Sequence, residues 1–168
     1  MFIYFGIGTN LGNREENLLR AIELLHERVG ECIACSSIFR SAPQGFVSEN
    51  EFANIVAVFK TEYLPEDVLL ITQQIEREMG RTRKSVDGIY HDRVIDIDLL
   101  QALTPSNSPF KGENFLEVEE VVCNTETLTL PHPRICERDF VQIPLREVEE
   151  ILHDTRKHVR TLLPARAL

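Results

Sequence analysis

Two hydrophobic periods alternate along the chain. Phe2-Ile-Tyr-Phe-Gly-Ile-Gly8 is aromatic and β-branched and reads as a buried strand. Asn13-Arg-Glu-Glu16 then has capping-box spacing, and Leu18, Ile22, Leu25 and Val29 recur at helical intervals until Gly30 stops them. Residues 33–40 read as a second strand and, after a loop with Pro43 and Gly45, residues 52–59 as a third. Pro65 opens a second helix, with Glu66 and Asp67 in its first turn and Val68, Ile71, Ile75 and Met79 on one face; Gly80 ends it. Val94-Ile-Asp-Ile-Asp-Leu-Leu100 is the fourth strand. The predicted order is β-α-β-β-α-β.

That order predicts an α+β, ferredoxin-like core, one antiparallel sheet with helices on one face. The last third is less regular. Residues 104–114 read as a turn-rich loop, 115–123 as an added strand or hairpin, and 136–142 and 145–163 as helical additions. No repeat or linker divides the chain, so residues 1–168 are expected to form one domain.

Composition narrows the function classes. Hydrophobic residues are 43% and charged residues 27%, ordinary globular values, which exclude disordered and fibrous readings. No apolar run approaches the ~18 residues of a membrane span, and the start lacks signal-peptide features. A cytoplasmic protein without a membrane partner is expected. The net charge of −9 argues against nucleic acid as a partner, because phosphate contacts need the opposite balance. Cys32 and Cys35 have CxxC spacing, but Cys123 and Cys136 do not form a second close pair, so reduced thiols are expected rather than zinc.

Asp96 and Asp98 are the sharpest chemical signal. Residues two apart on a strand share a face, and Val94, Ile95, Ile97, Leu99 and Leu100 make this strand largely buried. Two carboxylates there need a cation, and hard oxygen ligands suit Mg²⁺. Just upstream, Arg81, Arg83, Lys84 and Arg93 stand against Asp87 and Asp92 in a loop with Gly88, a local cationic cluster in an acidic chain. Arginine forks match phosphate oxygens. Gly6-Ile-Gly8-Thr-Asn-Leu-Gly12 has GxGxxxG rather than GxGxxG spacing, so its glycines are expected to serve a tight turn and helix packing. His132 is held between two prolines in an extended loop.

These residues, with Pro43-Gln-Gly45, Phe52-Ala-Asn54, Glu76 to Arg83, Arg93-Val-Ile-Asp96-Ile-Asp98, Leu130-Pro-His132 and Arg138-Asp-Phe140, resemble the 6-hydroxymethyl-7,8-dihydropterin pyrophosphokinases. That resemblance spans about residues 3–148 in order. It implies transfer of the diphosphate of ATP to a pterin alcohol, with release of AMP, in folate biosynthesis. It implies that Asp96 and Asp98 ligate two Mg²⁺ ions and that Arg81, Arg83 and Arg93 act with them in catalysis. Gln73, Glu76, Arg83, Arg93, Thr129, His132 and Arg138 fall at nucleotide-side positions. Ser41, Ala42, Gln44, Phe52, Asn54 and Phe140 fall at pterin-side positions. A monomer acting on small molecules is expected. The chain departs from the family pattern where His91 and Asp92 precede Arg93, where Pro133 follows His132, and in having no Trp. Two other readings compete: a non-catalytic ferredoxin-like binding module, and a two-metal phosphodiesterase, which wants further carboxylates and a basic track.

Overall fold

The structure, a computed structural model, describes residues 1–81, 91–105 and 118–162. Strand β1 (Phe2–Thr9) is followed by helix α1 (Arg14–Arg28), strands β2 (Glu31–Cys35), β3 (Phe39–Ser41) and β4 (Phe52–Lys60), and helix α2 (Pro65–Glu78). Strand β5 (Asp96–Pro105), short strands β6 (Val118–Glu120), β7 (Cys123–Asn124) and β8 (Thr129–Leu130), a 3₁₀ turn (Ile135–Glu137) and helix α3 (Asp139–Leu162) complete it. The local signals operate as expected. Asn13 caps α1 by accepting the Glu16 N–H at 3.4 Å, and Pro65 sits in the first turn of α2 beside Glu66 and Asp67. Gly30 follows α1 at φ +152°, where a Cβ would come within 2.1 Å of the Lys60 carbonyl oxygen.

The main sheet runs β2-β4-β1-β5-β6, with β3 also on β4, and every pairing is antiparallel. Counting β2 and β3 as one strand, this is the expected ferredoxin-like order. The expected strand 33–40 divides because Ser36 leaves the ladder. Its N–H donates to the Val56 carbonyl at 2.9 Å, and its Oγ accepts the Val56 N–H at 3.0 Å. Ser37 then donates from its N–H and Oγ to Glu147 of α3, at 2.9 and 2.7 Å.

Strand alternation sorts the side chains into two layers. Ile3, Phe5, Ile7, Ile55, Phe59, Ile97 and Leu99 face α1 and α2, where Leu18, Leu24, Leu25, Val68 and Ile75 complete a sealed core. Each such buried side chain contributes about 1.5–3 kcal/mol by leaving water. Tyr4, Val56, Val58 and Leu100 face the other way and are covered by Val141, Leu145 and Val148 of α3. The two core helices thus lie on one face, as expected, and the C-terminal addition α3 packs on the other. Instead of two helical stretches, a 3₁₀ turn leads into one continuous α3 with Pro144 inside it. Burial of that apolar stripe outweighs the hydrogen bond lost at the proline.

Cys32 and Cys35 lie half-buried on β2 as free thiols, and burial, with Cys32 and Glu147 nearby, pushes Cys35 up to about 11. Neither is a thiolate at neutral pH. Among the described residues, no helix is long and apolar enough to cross a membrane.

Candidate active site

The half of the sheet that α3 does not cover carries the chemistry. Cross-strand register sets Asn54 of β4, Gly8 of β1 and Asp96 of β5 in one row, and Val56, Gly6 and Asp98 in the next. The two glycines form a floor without side chains. A Cβ on Gly8 would lie 2.8 Å from Asn54 Oδ1, and one on Gly6 would lie 3.3 Å from Leu100 Cδ2. The expectation that these glycines serve a turn and helix packing is thereby corrected. Only Gly12, at φ +66°, serves the turn. Glycines two apart on the face shared with the later Asp pair were the signal that sequence reasoning passed over.

Two cavities meet at Asp96 and Asp98. The first, about 250 Å³, is walled by Phe52, Asn54, Ser41, Gln44, Phe46 and Phe140. The second, about 380 Å³, is walled by Gln73, Glu76, Arg81, Thr72 and His132. Arg93, Asp96, Asp98, Arg134 and Arg138 line both. Asn54 donates from Nδ2 to Ser41 Oγ at 3.0 Å, which fixes the orientation of its amide in the wall. Arg93 lies 5.3 Å from the Phe52 ring centre and Arg138 lies 5.5 Å from that of Phe140. Each aromatic wall thus carries an arginine at the passage between the cavities.

An ion-pair chain holds the second cavity together. Arg81 bonds both Glu76 and Asp96, and Arg93 Nη2 lies 3.2 Å from the other Asp96 oxygen. Glu76 also accepts the Ile97 N–H at 2.8 Å, tying α2 to β5. Burial pushes the Glu76 carboxyl up, and Arg81 pulls it back. Arg81 is only 12% exposed at its side chain. Removing either of its partners would therefore halve the compensation of a poorly solvated charge.

Asp98 has the more telling environment. Burial first, then the Asp96 charge, pushes its carboxyl up to about 7, against the pull of Arg138 and Arg93. The pair remains short of positive charge despite its arginines. His132 accepts the Arg134 N–H on Nδ1 at 3.1 Å, so its ring proton sits on Nε2. Burial, then Arg138 and Arg134, lower its pKa, which keeps it a neutral donor at pH 7.

Most of the site residues expected from sequence thus converge. Arg81, Arg93, Asp96, Asp98, Gln73, Glu76, His132 and Arg138 line the second cavity, and Ser41, Gln44, Phe52, Asn54 and Phe140 the first. Ala42 and Thr129 are exposed and line neither. Arg83 lies outside the described residues, as do residues 82–90 as a whole. Arg134, Phe46 and Thr72 were not anticipated. Nothing in their local sequence marks them, because only the fold brings them to the cavities.

Comparison with known proteins now decides the family. Residues 4–150 match the sequence profile of 7,8-dihydro-6-hydroxymethylpterin-pyrophosphokinase (HPPK). The chain belongs to this family. It is an enzyme, a pyrophosphokinase. A 2-amino-4-hydroxy-6-hydroxymethyldihydropteridine pyrophosphokinase of Porphyromonas gingivalis is 41% identical over 152 residues, covering 90% of this chain and 92% of the relative. One from Bacillus subtilis is 37% identical over 146 residues, covering 86% and 76%. Among solved structures, an HPPK-DHPS in complex with substrates superposes with a TM-score of 0.56 at 16% identity. That match covers 88% of this chain but only 40% of the longer one, and it supports the fold alone.

Proposed function

We propose that the first cavity holds 6-hydroxymethyl-7,8-dihydropterin and the second the triphosphate of ATP, with diphosphate transfer at the Asp96–Asp98 seam. The chain then makes the pterin diphosphate and AMP in folate biosynthesis. One observation carries this reading: among the described residues, a cavity walled by the aromatics Phe46, Phe52 and Phe140 and a cavity walled by cations share the Asp96–Asp98 carboxylate pair. A flat heteroaromatic ring suits the space between Phe52 and Phe140, and the Asn54 amide offers hydrogen bonds to its edge. Ser41, Gln44 and the neighbouring backbone at Ala42 complete that pocket.

The donor set fits magnesium. Asp96 and Asp98 present hard oxygens on one strand face above a floor where no Cβ intrudes, and few protein ligands leave room for water and phosphate oxygens. Two Mg²⁺ ions held there would neutralise phosphate charge and lower the pKa of the attacking hydroxyl. The chain supplies the rest by position and charge. Arg93, Arg138 and Arg81 meet the phosphate oxygens, with Arg83 joining from the loop; Gln73 and His132 donate hydrogen bonds, and Thr129 lies on the ribose side. Glu76 orients Arg81. The pterin hydroxymethyl oxygen attacks the β-phosphorus in line, and AMP leaves.

A phosphoenzyme is unnecessary. Among the described residues, no cysteine lines either cavity, and His132 Nε2 is a donor. Both cavities are lined from one sheet and the elements flanking it, which supports a site carried by one domain; a monomer working in the cytoplasm, where ATP is available, belongs to the same proposal. The phosphodiesterase alternative lacks support, because the net charge of −9 argues against the basic track it wants. Incubation with ATP, Mg²⁺ and the reduced pterin alcohol, followed by chromatography, is expected to yield AMP and pterin diphosphate in equal amounts. Release of ADP would overturn the reading.

A further inference from the structure

Arg93 is held at its backbone by a side chain far away in sequence. Asn10, only 2% exposed, follows β1 in the chain. Its Oδ1 accepts the Arg93 N–H at 2.8 Å, and its own N–H donates to the Arg93 carbonyl at 3.1 Å. Both peptide groups of Arg93 are therefore fixed by one residue. Asn10 Nδ2 donates to Asp92 Oδ1 at 2.6 Å and reaches the Asn50 carbonyl at 3.4 Å. The second Asp92 oxygen accepts from Asn50 Nδ2 at 3.0 Å. The Ser48 hydroxyl also bonds the Asp92 carboxylate, and Ser48 Oγ accepts the Asn50 N–H at 3.1 Å. These donors hold the Asp92 carboxyl below the usual carboxylate range, led by Ser48.

The network joins two functional regions. Ser48 and Asn50 belong to the loop whose earlier residues, Gln44 and Phe46, wall the first cavity. Phe46 stacks edge-on against Phe52 with ring centres 6.2 Å apart, and Arg93 lies over that same Phe52. Arg93 lines both cavities. Displacing the loop at Ser48–Asn50 therefore moves Asp92, and Asp92 is covalently joined to Arg93.

We propose that Asp92 is a positioning residue which, through Asn10 and Asn50, couples occupancy of the acceptor cavity to the placement of Arg93 at the phosphates. Asp92 touches neither cavity and takes no part in the chemistry. It is exposed, so its hydrogen bonds add little to global stability, and their value lies in fixing one geometry. The requirement is chemically specific. Asp92 accepts from two amides and the Ser48 hydroxyl at once, and an Asn in its place has one acceptor oxygen and one amide that must donate. Asp92→Asn therefore either sets two N–H groups against each other at Asn10, whose oxygen is held by the Arg93 N–H, or forces the Asn50 amide to turn, and both outcomes change the geometry. Pairing Asp92→Asn with Asn50→Asp repairs this, because the new amide donates to the new carboxylate while its oxygen accepts from Asn10.

This inference rests on the assignment of the two cavities made above. The test measures pterin affinity by titration calorimetry, with and without Mg²⁺ and a non-hydrolysable ATP analogue, alongside kcat and both KM values. In the unaltered enzyme, nucleotide is expected to tighten pterin binding. Asp92→Asn is expected to cut that tightening by about tenfold and to lower kcat, with binding of nucleotide alone changed little. The paired variant is expected to recover most of the loss. Full tightening in Asp92→Asn, no recovery in the pair, or no tightening in the unaltered enzyme would overturn the proposal. Thermal melts of all three proteins separate a folding defect from lost coupling, since a merely structural bond would lower the melting temperature and leave the tightening of the folded protein intact. A control arm with Asp96→Ala tests the cavity assignment separately: normal turnover there would sink that assignment, whatever Asp92 does.

Discussion

The two faces of the same sheet have opposite designs. Toward α1 and α2, strands β1, β4 and β5 present Ile3, Phe5, Ile55, Phe59 and Leu99, all buried, and the space is filled. Toward α3, the same strands present Tyr4, Val56, Val58 and Leu100 at one end and Gly6, Gly8, Asn54, Asp96 and Asp98 at the other. One end of that face is sealed by α3 and the other is left open over glycine. Stability and function are thus carried by alternate residues of single strands. A period of two makes this possible, since neighbours in a regular strand face opposite ways; β5 departs from it only at the register shift opposite Tyr4 and Phe5.

The comparison can be broken most sharply at the carboxylates. Asp96→Ala and Asp98→Ala are both expected to lower kcat by about 10³-fold or more, as loss of phosphate-charge neutralisation does, read by AMP formation. Their effects on folding should differ. Asp96→Ala removes a carboxylate that both Arg81 and Arg93 bond, so it should destabilise the protein; Asp98→Ala relieves a crowded charge. Equal melting temperatures for the two variants would contradict this division.

Two nearby positions of β1 test the alternation itself. Phe5→Leu, on the sealed face against Phe59, is expected to cost about 1–2 kcal/mol in denaturant unfolding while kcat of the folded protein stays unchanged. Gly8→Ala drives a methyl toward Asn54 Oδ1 and is expected to raise the pterin KM by about tenfold with little loss of stability. Reversal of the two patterns would refute the separation of faces.

The last test concerns pH. Asp98 moves from an ordinary 3.8 to about 7 on folding without metal, so the folded state binds an extra proton between those values. That contribution to stability is fully present below pH 4 and is lost as pH rises through about 7. In chelator, Asp98→Asn should therefore gain on the unaltered protein as pH rises from 4 to 8 in paired thermal melts. A constant difference would show that Asp98 keeps its ordinary pKa.

Much of this arrangement was legible in local pattern. The Asn13 cap, Pro65, the helical spacing of Leu18 to Val29 and the alternation around Asp96 and Asp98 are short-range signals, and short-range physics decides them. Where the expectation failed, a distant partner had intervened. Ser36 splits one strand into two because its hydroxyl and backbone both bond Val56. Pro144 stays inside α3 because Val141, Leu145 and Val148 find apolar partners on the sheet.

By itself, the sequence determined the ferredoxin-like order, the carboxylate pair, the arginine cluster and, through resemblance, the residues to examine. Each follows from residue type and spacing within a few turns or strand lengths. Only the tertiary structure decided that α3 covers one end of the second face, that Gly6 and Gly8 are a floor, and that Arg134 joins the seam. It alone brought Asn10, Asn50 and Asp92 together, across separations of 40 to 82 residues. Such contacts depend on strand register and on which face a helix can reach, and neither is written in any local stretch of chain.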